Sequence, residues 1–530
     1  MRFRPPGRTL VLAGALAAAG VLCCLPSLSG CARPSSPASS GGAGGPASTL
    51  IAGATIVDGT GAPGRKGSVR IAADKIAEVG DLAPRPGETV VDGTGRVLAP
   101  GFVDTHSHAD DDIFEHPDAL AAVSQGITTV VVGQDGGSES PLAEFFARLG
   151  KGPAAVNVAS FAGHGTIRRH VMGGDFRRAA TEAELERMRG VLDQDLKAGA
   201  LGLSTGLEYD PGIYSTREEV LALARVAAAA GGRYISHIRS EDRKFWNAID
   251  EIIDIGREAK IPVQVSHIKL AMRSLWGRSG ELLRRLEDAR ASGVDITADA
   301  YPYVYWSSTL TVLFPERDFT NRDSAEFVLR EVAAPEGLLM GKFQPDPSYA
   351  GLTLAQISER RKADPVTTLI DLIREAETLR KGPDDEVESV IGTSMDEPDV
   401  ERLLLWPHTN VCTDGELAGR HPRGFGTYPR ILGRYVRQQK LLSLEEAVRK
   451  MTGLAAESLG LTGHGALGPG ANADLVLFDP RTVLDRATPE DPQAVSIGIE
   501  KVWVNGSLVF AEGKATGLRP GRVITRPAVR

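Results

Sequence analysis

Cysteine is scarce in this chain of 530 residues, which contains four cysteines in all. Cys23, Cys24 and Cys31 lie near the N-terminus, and Cys412 stands alone in the rest of the sequence. A disulfide needs two cysteines, so the body of the chain cannot contain an internal one. We therefore expect the fold to be held together by its hydrophobic core.

The chain also has a small net charge and few aromatic residues. The formal net charge of −8 is small for this length, and basic residues form no tract beyond the N-terminus, which argues against nucleic acid as a partner. Aromatic residues make up 5% of the chain, whereas 60 glycines indicate many tight turns. With 42% hydrophobic and 24% charged residues, the composition is that of a globular protein with one large core and room for a smaller domain.

The first residues have the pattern of an export signal. Arg2, Arg4 and Arg8 precede the apolar run "TLVLAGALAAAGVLCCLPSL", the layout of a secretory signal peptide. The run ends in "LSGC", which resembles the lipobox of bacterial lipoproteins and would place lipid on Cys31. We expect a lipoprotein signal over 1–31 and a flexible Pro/Ser/Gly linker over 32–47.

This reading predicts an exported protein that is anchored to the bacterial cell envelope, and so to a membrane, through lipid on Cys31. Ala32 after the cysteine favours the outer membrane slightly. A plain cleaved signal peptide or an uncleaved N-terminal anchor is the alternative.

Both ends of the remaining chain are rich in short β-type runs separated by Gly, Asp and Asn. These runs occupy 48–100 and 464–530. Val502–Val509 is typical of a hairpin that turns at Asn505-Gly506. We predict a small β-sandwich domain that is assembled from both chain ends.

The middle of the chain, 101–463, alternates apolar strands with helical patterns, as in "GRYISHI" followed by "NAIDEIIDIGREAKI". Eight such strands predict an α/β fold, the (β/α)8 or TIM barrel. The chain between Asp299 and Asp414 is far longer than an ordinary loop. We therefore predict an insertion at about 305–390, before the last barrel strand, that forms a small subdomain or a lid.

Potential metal ligands stand at the ends of four predicted barrel strands. They are His106 and His108 after the first strand, His237, His267, and Asp414 after the last. Four of the ten histidines of the chain occupy these positions. Because barrel enzymes place their chemistry at the carboxyl ends of the strands, the set predicts a metal site. Imidazole and carboxylate ligands suit zinc.

The motifs around these residues resemble those of a known enzyme family. They are "GFVDTHSHAD", "GHGTIR", "GLEYDPG", "SHIRSE", "SHIKL", "TADAYPY", "HPRGFGTYPRIL" and "GALGPGANADLVLFDP". In this order they resemble the N-acyl-D-amino-acid deacylase (D-aminoacylase) branch of the metal-dependent amidohydrolase superfamily, from about Ser48 to the C-terminus. The resemblance implies a distorted TIM barrel with a split β-sandwich partner.

The resemblance also implies roles for the ligands. His106, His108 and Asp414 would hold one metal ion, and His237 and His267 the other, so that one or two Zn²⁺ ions bind. A bound zinc ion lowers the pKa of its water from 15.7 toward about 7 and polarises the scissile carbonyl. Asp414 would act as general base and then as general acid toward the leaving amine.

One position departs from the family pattern. The family usually carries a bridging cysteine in the turn after the second strand, whereas this turn has Asp135 in "GQDG". We expect Asp135 to be a metal ligand; the alternative is a mere turn residue at a site that has lost a ligand. The number and identity of the metal ions remain open at this point.

Substrate contacts follow from the same resemblance. An N-acylated amino acid carries a free carboxylate, for which Lys269 and Arg423 are the expected partners. Tyr209, Tyr301 and Ser307 match positions that line the pocket. The alternative for each is an ordinary solvated cation or a packed side chain. We expect His164 to be structural and Cys412 to lie in the core.

The predicted function is zinc-dependent hydrolysis of the amide bond of N-acyl-D-amino acids. A cyclic amidase or dipeptidase-like amidohydrolase is the first alternative, but the carboxylated lysine of cyclic amidases has no counterpart in "ALGLSTGLEY". The second alternative is a catalytically inactive metal-binding lipoprotein. The sequence predicts no protein partner and does not determine the preferred acyl group or side chain.

Overall fold

The computed structural model describes residues 48–382 and 386–527. The expected signal peptide, lipobox with Cys31 and linker lie outside these residues. Within the described part, none of the helices combines the length and apolar character that a membrane crossing requires.

The strands of the described residues, in chain order, are β1 Ser48–Ile56, β2 Arg65–Ala72, β3 Lys75–Gly80, β4 Thr89–Asp92, β5 Val97–Pro100, β6 Phe102–Asp104, β7 Ile127–Val132, β8 Asn157–Ser160, β9 Ala162–Gly163, β10 Gly202–Gly206, β11 Arg233–His237, β12 Val263–Val265, β13 Ile296–Ala300, β14 Tyr305–Ser308, β15 Leu338–Phe343, β16 Glu388–Thr393, β17 Thr409–Val411, β18 Leu475–Phe478, β19 Ile499–Val504, β20 Ser507–Ala511 and β21 Lys514–Ala515.

The α-helices are α1 Leu120–Val123, α2 Leu142–Lys151, α3 His164–Met172, α4 Glu182–Ala198, α5 Arg217–Ala229, α6 Phe245–Ala259, α7 Ser279–Ala291, α8 Arg322–Phe327, α9 Leu354–Arg361, α10 Pro365–Leu379, α11 Glu397–Leu405, α12 Arg423–Arg430, α13 Leu444–Met451 and α14 Gly453–Leu459. Helices α8 and α12 continue as π-helical turns over Val328–Val332 and Ile431–Gln438.

Strands from both chain ends form one sheet. Its order is β21-β20-β19-β18-β5-β1-β2-β3, and β4 also pairs with β1. The two ends meet where β5 pairs antiparallel with β18. Ile51, Leu98, Leu475 and Trp503 are buried in a core of this domain. The expectation of a small β-domain built from both chain ends is therefore confirmed.

The predicted hairpin is present between β19 and β20. Asn505 and Gly506 have φ values of +46° and +79°, the conformation that a two-residue hairpin turn of this kind needs. A side chain on Gly506 would collide with the carbonyl oxygen of Ala73. The Asn-Gly pair thus fixes both the turn and its close packing on the preceding hairpin.

The middle of the chain forms a barrel of parallel strands. One sheet has the order β6-β7-β8 and the other the order β9-β10-β11-β12-β13-β17. The first and last strands meet beyond their ends, where Asp414 donates its backbone N–H to the carbonyl of His106 at 2.8 Å. Since the strands fall into two ladders rather than one, the barrel is distorted, as expected.

The helices that cover the barrel are specified by local sequence. A capping box of Thr181 and Glu184 begins α4, in which each side chain accepts a backbone N–H of the other residue. In α6, Ile249, Ile252 and Ile253 repeat at helical spacing and are buried. These signals specify where α4 begins and which face of α6 is buried.

The long connection before the last barrel strand folds into its own unit between β13 and β17. Strands β14, β16 and β15 form an antiparallel sheet, joined by α8, α9 and α10. The predicted insertion is therefore present before β17. Its last strand ends at Thr393, slightly beyond the expected limit.

Candidate metal centre

Six predicted ligands lie at the carboxyl ends of barrel strands β6, β7, β11, β12 and β17. Ligand atoms of four of them lie within 4.8 Å of one another, and a neighbouring group shares His267 and adds His237 and Glu241. The six residues are His106, His108, Asp135, His237, His267 and Asp414. Because the strands are parallel and adjacent, side chains far apart in the sequence meet at one rim.

Asp135 lies between two groups of imidazoles. Its Oδ2 is 3.4 Å from Nε2 of His106 and 3.5 Å from Nε2 of His108. Its Oδ1 is 3.4 Å from Nε2 of His267. Each oxygen thus faces a different group of histidines, which is the position that a bridging carboxylate requires.

Asp414 faces the same histidines from the last strand. Its Oδ1 lies 3.2 Å from Nε2 of His108, and its Oδ2 lies 2.5 Å from Nη1 of Arg423. Burial alone would raise the pKa of this carboxyl, but the charge of the Arg423 guanidinium lowers it below its ordinary value. Asp414 is therefore held ionised.

His237 and His267 form the other half of the centre. Nδ1 of His237 lies 3.1 Å from Nε2 of His267. The outer ring nitrogens have polar neighbours: His237 Nε2 is 3.0 Å from Oε2 of Glu208, and His267 Nδ1 is 3.3 Å from Oε1 of Glu241. Carboxylates in this position orient metal-binding imidazoles.

Glu208 and Glu241 were not predicted from the sequence as residues of the site. They occur in "GLEYDPG" and "SHIRSE", shortly after the ends of β10 and β11. Their position just beyond barrel strands was the signal that could have identified them.

The donor set fits a divalent metal ion. His106 Nε2 and Asp135 Oδ1 are buried and have no hydrogen-bond partner in the described residues. Buried polar atoms of this kind are costly unless something pairs with them. Imidazole and carboxylate donors around one point supply what zinc binds.

Three of the predicted ligands have unusual backbone conformations. Asp135, His267 and Asp414 have φ values of +51°, +34° and +50°. Non-glycine residues seldom adopt positive φ, and such residues cluster at functional sites. The barrel therefore imposes these conformations and aims the side chains at one point.

A cavity opens beside the predicted ligands. All five predicted substrate residues line it, namely Lys269, Arg423, Tyr301, Tyr209 and Ser307. The insertion supplies an apolar wall that was not predicted from the sequence, formed by Trp306, Val312, Leu313 and Val332. The insertion is therefore part of the site.

The two cations of the cavity are already paired with acids. Lys269 Nζ lies 2.6 Å from Oε1 of Glu241. Arg423 contacts Asp414, and its guanidinium lies 4.8 Å from the centre of the Tyr301 ring. Burial raises the pKa of the Tyr301 hydroxyl well above its ordinary value, which keeps it a neutral donor.

Two further residues with reactive side chains lie outside the group of ligands. His164 is fully buried, and its Nε2 lies 2.8 Å from Oε1 of Glu219. Cys412 is buried and donates to Oδ1 of Asp299 at 3.3 Å. Both have protein partners that account for their burial.

Comparisons with known proteins agree with this geometry. The amidohydrolase family model matches residues 89–334 and 409–510. The chain is 38% identical to a D-aminoacylase of Alcaligenes xylosoxydans xylosoxydans, over 91% of this chain and 98% of that protein. It is also 38% identical to an N-acyl-D-glutamate deacylase of the same organism, over 90% and 96%.

A solved structure is similar over the same length. The N-acyl-D-glutamate deacylase of Bordetella bronchiseptica, complexed with zinc and a phosphonate inhibitor that mimics the tetrahedral intermediate, superposes with a TM-score of 0.81 at 37% identity. The superposition covers 91% of this chain and all of that one. On the strength of the family model and these relatives, the chain belongs to the amidohydrolase family.

Proposed function

We propose that this protein hydrolyses the amide bond of N-acyl-D-amino acids in a zinc-dependent reaction. The observation that carries the proposal is the convergence of His106, His267, Asp135 and Asp414, with His108 in contact with both carboxylates, beside a cavity that also contains two cations. The relatives named above are deacylases of such compounds, which supports the same substrate class.

Each side chain of the site has its own role in the proposed reaction. A bound zinc ion supplies a Lewis acid that activates water and polarises a carbonyl. Asp414, ionised beside Arg423, accepts the proton of the attacking water and returns it to the leaving amine. Lys269 and Arg423 attract the substrate carboxylate, and Tyr301 and Tyr209 line the space between them and the ligands.

The cyclic amidase alternative requires a carboxylated lysine at the end of the fourth barrel strand. Here β10 covers Gly202–Gly206, and Leu207 and Glu208 follow it. With no lysine at that point, this alternative has no ligand to bridge its metal ions. Asp135, which follows strand β7, would take the bridging position instead, since its two carboxylate oxygens face different histidines.

The proposal is tested with the variant Asp414→Asn. We expect kcat for an N-acetyl-D-amino acid to fall by about 10²–10⁴-fold, because the amide cannot accept the proton. Release of free amino acid from the D and L series measures the rate, and elemental analysis measures bound zinc. Asp193→Asn, at an exposed carboxylate on α4, is the matched control and should retain full activity.

Two outcomes would contradict the proposal. One is an Asp414→Asn variant as active as the parent. The other is a zinc-loaded parent enzyme that releases no amino acid from any N-acyl-D-amino acid.

We further propose that the protein is exported and anchored to the cell envelope through lipid on Cys31. The arginine-flanked apolar run and "LSGC" support this assignment. The test is fractionation of cells that express the full chain or its Cys31→Ser variant, with labelling by a fatty acid. We expect label and membrane association in the parent and neither in the variant. An unlabelled parent in the soluble fraction would refute the anchor.

A further inference from the structure

The turn that carries Asp135 is fixed by close packing. A side chain on Gly133 would lie 2.3 Å from the carbonyl oxygen of Phe161, and one on Gly136 would lie 2.8 Å from the backbone nitrogen of Gly206. Gly206 in turn approaches the carbonyl of Asp135 too closely for any side chain of its own. The backbone at 135 therefore cannot shift, and whichever side chain stands there points between the two groups of histidines.

No thiolate can take the place of the Asp135 carboxylate in the described part of the chain. Cys412 is the one cysteine there, and its sulfur hydrogen-bonds to Asp299 inside the barrel. It belongs to neither group of potential ligands. The ligand set consists of imidazole nitrogens and carboxylate oxygens alone.

Thiolate ligands favour zinc, whereas carboxylates suit harder ions such as manganese. We propose that Asp135 makes this centre permissive for Mn²⁺, so that the protein binds manganese alongside zinc with less discrimination than a centre bridged by cysteine. The inference rests on the proposed metal-dependent function and adds which ions the site accepts. Zinc should still bind more tightly than manganese, since the affinity of such a site for divalent metal ions rises from manganese to zinc.

The experiment compares the parent with Asp135→Cys, which introduces a thiolate at an otherwise unchanged site. Metal-free full-length protein is equilibrated with equal zinc and manganese in a chelator buffer, and bound ions are counted by mass spectrometry. We expect the ratio of bound zinc to bound manganese to rise in the variant, because a thiolate favours zinc over manganese. With cobalt alone, the variant should show a thiolate charge-transfer band that the parent lacks.

A second variant, Asp135→Asn, tests the inference if Asp135→Cys does not fold. Asparagine tolerates the positive φ of this position, so Asp135→Asn should fold as the parent does, which circular dichroism checks. Because the amide carries no charge, we expect this variant to lose bound ion of both kinds. Unchanged metal content in Asp135→Asn would overturn the inference.

The remaining outcomes separate this inference from the proposed function. Equal zinc-to-manganese ratios in the parent and Asp135→Cys, with the cobalt band present, would overturn the inference alone. The parent could bind both ions, with a zinc-to-manganese ratio that rises in Asp135→Cys as expected, and yet hydrolyse no N-acyl-D-amino acid. That outcome would support the inference and refute the proposed substrate. A parent that binds neither ion would refute both.

Discussion

Asp414 and Arg423 act on each other as a buried ion pair at the mouth of the centre. The pair joins Oδ2 of the carboxylate to Nη1 of the guanidinium, while Oδ1 faces His108. Oδ1 of Asp414 thus faces the predicted metal centre, whereas Oδ2 is paired with the guanidinium of Arg423. A substrate carboxylate that binds Arg423 would compete for that cation, which links substrate binding to the basicity of Asp414.

This link predicts the pH dependence of Arg423→Gln. The guanidinium lowers the pKa of Asp414, because a nearby positive charge stabilises the ionised carboxylate. Its removal raises that pKa, so more of the carboxyl is protonated and inactive as pH falls. We expect the acidic limb of the kcat/KM profile to move to higher pH and KM to rise.

The matched control for that experiment is Arg434→Gln, on the same helical segment. Arg434 pairs with Glu397 and does not line the cavity. Its profile should match that of the parent. An unshifted acidic limb in Arg423→Gln would contradict the assigned role of Arg423.

Asp299 supports the ligands from inside the barrel. Its Oδ1 accepts the backbone N–H of His267 at 2.5 Å, and its Oδ2 accepts from Gln264 at 2.5 Å and lies 3.9 Å from Nδ1 of His106. It thereby holds the strained backbone of His267 and lies behind the ring of His106. Such outer carboxylates orient metal-binding imidazoles.

The inserted sheet acts as a wall of the cavity. Trp306 on β14 lines the cavity, and its indole N–H donates to Oγ of Ser394 at 2.6 Å. The indole lies against Gly392 on β16, where an added Cβ would be 2.4 Å from the ring. Glycine at this point lets the ring lie flat on the neighbouring strand.

Gly392→Ala should therefore displace the Trp306 ring into the cavity. The displaced ring would narrow the cavity, so we expect KM to rise, and overpacking of this kind should also lower the free energy of unfolding by about 1–3 kcal/mol. The rate constant kcat should change little, since the ligands lie on other strands. Gly150→Ala on α2, where an added Cβ meets nothing, is the control. Unaltered KM in Gly392→Ala would show that this wall does not contact substrate.

The barrel and the terminal β-domain are joined by a buried polar network. Asn157 on β8 donates to Oδ2 of Asp474 at 3.0 Å and accepts from Nδ2 of Asn505 at 2.7 Å. The backbone N–H of Arg522 also donates to Asn157, at 3.0 Å. One side chain thus connects the barrel to the domain built from the chain ends and to the C-terminal segment.

We expect Asn157→Ala to lower the free energy of unfolding by about 2 kcal/mol or more, because buried groups lose their partners. Urea unfolding followed by circular dichroism measures the change. The exposed Gln438→Ala should stay within about 0.5 kcal/mol of the parent. A variant as stable as the parent would show that the network contributes nothing net.

The amino-acid sequence by itself determined the alternation of strands and helices, the Asn505-Gly506 turn, and which polar residues follow the barrel strands. Those features depend on neighbours a few positions away, so local periodicity and turn chemistry are sufficient to predict them. The family resemblance added the split domain and the roles of the histidines. Even the unusual Asp135 could be placed, since it stands directly after a strand.

Tertiary structure alone decided how these side chains meet. The pairing of Arg423 with Asp414, the position of Asp135 between two groups of histidines, and the contacts of Glu208, Glu241 and Asp299 join strands far apart in the sequence. The apolar wall likewise depends on how the insertion packs over the rim. Distances of this kind are set by barrel closure and side-chain packing, which no local pattern encodes.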